Sequence, residues 1–352
     1  MRHDLATVAE LGEFDAILDV RSPAEFAEDH VPGALNVPVL DDAERAEVGT
    51  LYKQVSPFVA RRRGAALVAQ NIARHLQDHF AGHPKHWRPL VYCWRGGKRS
   101  GSMTHIMREI GWDARQLEGG YKAFRRSVIA TLAELPPRLH FRVLCGTTGS
   151  GKSRLLGVLA SQGAQMLDLE ALAAHRGSVL GGLPTEPQPT QKAFETRLWT
   201  ALSALDPARP VFVESESRRI GTVHLPEALI LQLRASPCLR VETSLPVRVA
   251  LLLDEYAHFF DDPADLCTKL RTLTPLHGRE TIDAWLSLVD AKAWAPFVEA
   301  LLTRHYDPTY LKSMTGNYAG FADAPAVTLD AFTAEAFDHA AAAARALEDR
   351  PA

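Results

Sequence analysis

The sequence predicts an α/β chain that builds two parallel sheets in succession along its 352 residues. Short apolar runs close on polar or glycine-rich loops and are followed by segments with helical spacing, the alternation that gives a parallel sheet with ligands at its strand ends. The alternation breaks at "LAELPPRLHF", where Pro136 and Pro137 end a helix and let a new strand begin. It then restarts with a glycine-rich loop of its own, so we expect one domain over 1–135 and a second over 138–352.

In chain order, "AILDV" at 16–20 reads as a short buried strand, and "RSPAEFAEDHVPGALNVP" gives a turn, a brief helix and a Pro-Gly turn. "RPLVYC" at 88–93 is the next strand, and "SGSMTHIMREIG" from Ser100 carries apolar positions at helical spacing with Gly111 as its stop. Beyond the break, "FRVLC", "AQMLDLE" and "RPVFVESES" each read as an apolar strand closing on polar residues. The alanine-rich "FTAEAFDHAAAAARALEDR" is a helix without chemistry, and no internal repeat is found.

A net charge of -3 argues against a chain that coats nucleic acid indiscriminately, although Arg61 to Arg63, Arg125 with Arg126, and Arg218 with Arg219 could meet a phosphate backbone. Taken patch by patch, solvated faces are the favoured account. Cys93, Cys145, Cys238 and Cys267 form no C-x-x-C pair, and no Cys/His cluster has zinc spacing, so neither a disulfide framework nor a structural metal is expected. The N-terminal "MRHDLATVAELGEFD" lacks the apolar run of a signal peptide, and no stretch approaches the roughly 20 apolar residues of a membrane span. We expect a cytoplasmic protein with no membrane partner.

Gly146-Thr147-Thr148-Gly149-Ser150-Gly151-Lys152-Ser153 matches G-x-x-x-x-G-K-[ST] between an apolar strand and an amphipathic helix. Its glycines let backbone N–H groups curl around phosphate oxygens, and the helix N-terminus adds a positive dipole. Lys152 would reach the outer phosphate, and Ser153 would bind a magnesium ion where one is used; no metal is certain from the pattern. Asp168, Glu170, Glu214 and Glu216 stand at the ends of the following strands, as acid/base groups, magnesium-side carboxylates or plain strand-end solubility residues. Cys145 reads as a packed strand residue, and no base-reading signature of a GTPase is present.

Cys93 sits between a strand and a helix in "VYCWRGGKRS". Gly96 and Gly97 permit a tight loop with inward N–H groups, while Arg95, Lys98 and Arg99 surround the sulfur with positive charge. Cations and a helix N-terminus favour the thiolate, so the pattern predicts a nucleophile rather than an inert core cysteine.

"DVRSPAEFAEDHVPGALNVP", "VYCWRGG" and "LEGGYKAF" resemble the three signature segments of a rhodanese domain, whose loop cysteine carries a persulfide. The spacing from Cys93 to Arg99 is C-x5-R, one longer than the usual sulfurtransferase loop and similar to the phosphatase relatives of that fold, although Tyr92 stands where those have histidine. A rhodanese-like parallel-sheet domain followed by a P-loop NTPase-like α/β domain resembles the bacterial tRNA 2-selenouridine synthases. "EVGTLYKQVSPFVARRRGAALVAQNIA" and "DLEALAAHRGSVLGG" look like further segments of that family.

The resemblance implies a transferase that converts wobble 2-thiouridine in tRNA to 2-selenouridine, first attaching a geranyl group from geranyl diphosphate to the sulfur and then exchanging it for selenium from selenophosphate. It implies Cys93 as the selenium carrier, with Arg95, Gly96, Gly97, Lys98, Arg99 and Ser100 holding selenophosphate, and Gly146 to Ser153 holding the diphosphate. No tightly bound cofactor is expected. Trp94 either stacks on a base or walls the pocket. Two other readings remain: an ATP-dependent sulfurtransferase built from a rhodanese and a kinase or ATPase, and a phosphatase using the C-x5-R loop.

Overall fold

A computed structural model describes residues 4–183, 186–261 and 263–347; the first three residues of the N-terminal stretch and 348–350 of the alanine-rich segment lie outside them. The chain divides into two compact units, one running to Thr131 and taking in Lys192–Thr200, the other formed by Leu132–Gln191 and the chain from Ala201.

The first unit is built on β1 (Leu5–Ala6), β2 (Ala16–Asp19), β3 (Leu35–Asn36), β4 (Pro89–Tyr92) and β5 (Arg115–Leu117), in the order β1-β5-β4-β2-β3 with every pairing parallel. All four residues of the central β4 are buried, which is why it reads as an unbroken apolar run rather than an alternating one. The brief helix Pro23–Glu28 starts where Ser22 and Pro23 favour it, with the Ser22 N–H donating to Glu25 at 3.2 Å. Helix Lys98–Ile110 begins two residues before Ser100 and stops at Gly111, whose φ of 107° suits glycine. Its Met103 and Met107 pack with Leu18, Val20, Val91 and Trp87 in one core.

Helix Gln191–Ser203 contributes residues 192–200 to this unit. Thr196 Oγ1 donates to the buried Asp29 carboxylate at 3.0 Å, Glu195 pairs with Arg125, and Trp199 meets Phe124 edge-on at 5.4 Å. No single cut in the sequence reproduces that grouping.

The second unit carries β6 (His140–Cys145), β7 (Gln165–Leu167), β8 (Pro210–Glu214), a small antiparallel pair β9 (Arg219–Ile220) and β10 (Val223–His224), then β11 (Cys238–Thr243) and β12 (Ala326–Leu329). The main sheet runs β12-β11-β6-β8-β7, all parallel, so β6 lies at the centre with its neighbours reached by crossovers in opposite directions. That is the switch point at which a loop after the strand faces a ligand. Leu155, Leu156 and Leu159 of helix Lys152–Ser161 share a core with Phe337, Ala340 and Ala341 of the alanine-rich helix Ala334–Ala346. Between β11 and β12 a run of helices gathers Phe259, Leu266, Leu270, Trp285, Phe297 and Leu301 into a separate apolar cluster, each such side chain contributing about 1.5–3 kcal/mol by burial.

One expected strand is shorter than "AQMLDLE" suggests. It ends at Leu167 because Asp168 Oδ1 accepts the Ala171 N–H at 2.8 Å and caps helix Leu169–Ala173, which places Glu170 on a first helical turn. Among the described residues no helix is long and apolar enough to cross a membrane.

Candidate active sites

Cys93 lies one residue past β4 with 3% of its surface exposed. Its Sγ accepts the Gly97 N–H at 3.3 Å and the Ser100 hydroxyl at 3.0 Å, so the loop and the first turn of the following helix both point donors at the sulfur. Gln116 Nε2 donates to Ser100 Oγ at 2.8 Å and to the Gly97 carbonyl at 3.2 Å, fixing that turn from β5. From the other side the Tyr121 and Lys122 N–H groups donate to the carbonyls of Cys93 and Trp94. The approach is close: Gly120 has φ 58°, and a Cβ there would lie 2.2 Å from the Cys93 carbonyl oxygen. This is the physical content of the "EGGYK" segment.

The three expected cations are not equivalent. Arg95 and Lys98 are exposed, whereas Arg99 donates to Glu25 at 2.7 Å. Burial pushes the Glu25 carboxyl up, but the hydrogen bond and charge of Arg99 hold it below its ordinary value. Trp94 lies 5.3 Å from the Tyr121 ring. Tyr92 is fully buried and accepts the Val31 N–H at 3.1 Å, so it is part of the core beneath the loop. A polar network lies there too: Arg21 pairs with Asp19 at 2.6 Å, sits 4.0 Å over the Tyr121 ring, and donates to the Asp29 carbonyl. The Asp29 carboxylate in turn accepts from Tyr121 and Thr196.

The second loop follows Cys145 at the end of β6. Gly149 and Gly151 take φ values of 75° and 83°, and a Cβ on Gly151 would come within 2.9 Å of Leu329, so the loop is pressed against the core. Lys152 Nζ folds back to donate to the Gly146 carbonyl at 2.7 Å, and the Gly146 N–H donates to Tyr310 Oη at 2.5 Å. Arg248, only 5% exposed, donates to the Thr148 carbonyl at 2.9 Å.

Three of the four expected acids converge. One oxygen each of Glu170, Glu214 and Glu216 lies within 4.8 Å of the others, and Ser153 Oγ donates to Glu170 at 3.3 Å. Both Glu214 oxygens are buried with no hydrogen-bond partner. Burial and then the neighbouring carboxylates push Glu170 well above its ordinary value; Glu216 is pushed up to about 7 by burial and Glu214, and Glu214 is raised by burial against the pull of Lys152. Hard oxygen donors beside a phosphate loop, two of them unpartnered, fit a divalent cation. Asp168 stands apart from the three, its carboxylate used as the helix cap.

Loop and acids open on a cavity of about 820 Å³. Its lining includes residues to which motif reading gave no role: Arg176, within the quoted 168–182 segment, and Tyr256, His305, Tyr306, Tyr310 and Tyr318. Arg176 stacks 4.8 Å over Tyr256 and donates to the Glu255 carbonyl. A signal existed, since Tyr306, Tyr310, Met314 and Tyr318 recur every fourth residue, a helical stripe, but nothing in the stripe says what it faces.

Residues 3–127 match the model of the rhodanese-like domain, and residues 139–270 match that of the tRNA 2-selenouridine synthase AAA domain. The tRNA 2-selenouridine synthase of Marinobacter nauticus is 34% identical over 332 residues, 85% of this chain and 88% of that protein. The chain belongs to the tRNA 2-selenouridine synthase family. The enzymes of that name from Nitrosomonas europaea and Bdellovibrio bacteriovorus are 40% and 38% identical, each match covering 68% of this chain. Those matches span 63% and 64% of the relatives' lengths.

The basic patches singled out in the sequence are partly paired. Arg63 pairs with Glu47 at 2.8 Å, Arg125 with Glu195, and Arg218 with Glu227 at 3.7 Å. Arg61, Arg62 and Arg126 are exposed. The Arg63 and Arg218 pairs are solvent-exposed and worth little, whereas Arg125–Glu195 is largely enclosed.

Proposed function

We propose that this chain is a transferase that converts wobble 2-thiouridine of tRNA to 2-selenouridine in two steps, S-geranylation at the phosphate loop and selenium transfer at Cys93. The observation that carries the reading is the presence, on one family member, of two anion-type loops of different chemistry. One holds a thiol beneath converging donors, and the other has no nucleophile but opens on a large cavity.

In the first step the thiocarbonyl sulfur attacks the allylic carbon of geranyl diphosphate, the C–O bond breaks, inorganic diphosphate leaves, and the N3 proton of the base is lost. Lys152, Ser153 and the N–H groups of Gly149 to Lys152 stabilise the charge on the departing diphosphate. Glu170, Glu214 and Glu216 with Ser153 would hold a magnesium ion, which neutralises phosphate charge when bound.

In the second step the Cys93 thiolate attacks selenium of selenophosphate, the Se–P bond breaks, and the phosphoryl group leaves as phosphite with the bonding pair, so that phosphorus is reduced by two electrons as the sulfur is oxidised to the S–Se level. Selenium on Cys93 then attacks the ring carbon and geranyl thiolate departs. A reducing thiol frees the selenouridine from the S–Se bond. Arg95 and Lys98 guide the anion, and Gly97 with Ser100 orient the sulfur.

Nucleoside mass analysis tests this with 2-thiouridine tRNA, geranyl diphosphate and selenophosphate, each omitted in turn. Cys93→Ala accumulates S-geranyl-2-thiouridine, and Lys152→Ala leaves 2-thiouridine unchanged. Selenouridine formed at the normal rate by Cys93→Ala, or no change with the wild type, overturns the reading. The carboxylate cluster also suits a magnesium nucleotide, the ATP-dependent sulfurtransferase reading; release of ADP or AMP that requires the thiouridine tRNA would establish it instead.

A further inference from the structure

Beside the cavity over the phosphate loop lies a chamber of opposite character. Leu180, Phe259, Leu266, Phe297, Leu301 and Leu302 wall a space of about 50 Å³. None of these six is more than 6% exposed, and among the described residues no charged side chain lines the chamber. Thr148 of the phosphate loop, with Leu252, Tyr256 and Tyr306, lines both spaces, so the chamber adjoins the loop itself.

Close-packed interiors leave few voids larger than a water, and an apolar void of that kind stays dry and accepts hydrocarbon. A purine in the chamber would leave ring nitrogens short of partners, since among the described residues the only polar side chains lining it are those of Thr148, Tyr256 and Tyr306. A ligand that satisfies loop and chamber together has a diphosphate at one end and a hydrocarbon chain at the other.

We infer that this chamber seats the end of the substrate's hydrocarbon chain and selects its length, an inference that rests on the prenyl diphosphate reading of the phosphate loop. At about 50 Å³ the chamber exceeds the roughly 10–15 Å³ that admits a single water, so it takes a small branched apolar group such as the tip of an isoprenoid. The rest of the chain lies in the wider cavity, past Thr148, Tyr256 and Tyr306. Leu266 and Phe297 are therefore specificity-determining residues, in helices Pro263–Arg271 and Trp294–Leu301 far in sequence from the loop they serve.

The test uses the full chain with 2-thiouridine tRNA and dimethylallyl, geranyl and farnesyl diphosphates, read as kcat/KM for each, with inorganic diphosphate binding as the measure of an intact loop. Leu266→Phe fills the chamber: KM for geranyl diphosphate rises about tenfold while dimethylallyl diphosphate and inorganic diphosphate are unaffected. Phe297→Leu enlarges it and moves the farnesyl-to-geranyl ratio upward by about tenfold. Should Leu266→Phe lose inorganic diphosphate binding, the variant is misfolded and Phe297→Leu decides alone. Wild-type alkylation with chain preference unmoved in variants that still bind inorganic diphosphate overturns the chamber and leaves the loop's role standing. A wild type that alkylates with none of the three sinks the prenyl reading and the chamber with it.

Discussion

The guanidinium of Arg248 holds the carboxylate of Asp307 by two hydrogen bonds of 3.0 and 2.6 Å. Its remaining Nε–H goes to the Thr148 carbonyl, so one side chain joins the phosphate loop to helix Asp307–Asn317, which carries Tyr310 to the loop's first N–H. The loop's shape thus depends on a helix more than 150 residues away in sequence.

Asp307→Ala leaves Arg248 buried without its anion. We expect a loss of about 2–3 kcal/mol in urea unfolding, below the range for a fully enclosed pair because Asp307 keeps 25% of its side chain exposed. Inorganic diphosphate binding, measured by calorimetry, should weaken about tenfold. Unchanged stability and affinity would show that the loop holds its shape without the pair.

Gly120→Ala places a Cβ against the Cys93 carbonyl and forces an alanine into φ 58°. We expect selenium transfer to fall by more than about tenfold, since the loop must move to relieve a clash that strain of about 1–3 kcal/mol alone does not cover. S-geranylation by the same variant should be near normal. Loss of both activities together would argue for unfolding rather than a displaced sulfur.

The Glu170, Glu214 and Glu216 cluster carries a pH dependence of definite sign. With Glu216 raised from 4.5 to about 7, the folded chain keeps a proton that the unfolded chain releases at lower pH. This contribution to stability is fully present below about 4.5 and is lost as pH rises to about 7. In chelator, Glu216→Gln should flatten the fall in Tm over that window relative to wild type. Magnesium should raise the wild-type Tm more at about pH 8 than at about pH 5.5, because ionised carboxylates are the ligands. A magnesium effect unchanged in Glu214→Gln would remove this cluster as the cation site.

A fragment ending at residue 135 contains the whole first sheet yet lacks Thr196, Glu195 and Trp199. Asp29 then has one hydroxyl donor fewer, Arg125 loses its carboxylate, and Phe124 loses an aromatic neighbour. We expect it to be less stable than the same unit in the full chain by about 2–4 kcal/mol in chemical unfolding. Equal stability would mean that residues 192–200 are an ornament on a self-sufficient domain.

Local chemistry was legible without coordinates. The glycines and lysine of 146–153 and the cysteine, glycines and Ser100 of 93–100 announce their loops because backbone geometry and charge at adjacent positions leave a contiguous signature. Glu170, Glu214 and Glu216 could be marked as candidates at the ends of apolar runs, but not gathered. Their convergence depends on β7 and β8 lying side by side and on Asp168 ending one strand early to turn Glu170 into a helix.

What the sequence determined by itself is therefore the pair of loops, the two parallel sheets that present them, and the family to which the motifs point. The tertiary structure alone decided that Arg99 is tied to Glu25, that residues 192–200 complete the first unit, and that tyrosines and an apolar chamber from the C-terminal helices enclose the phosphate loop. The physical reason is range. A loop's conformation is set by neighbours along the chain, whereas a pocket is the space left when distant apolar stripes pack, and each stripe alone reads only as a helix with a buried face.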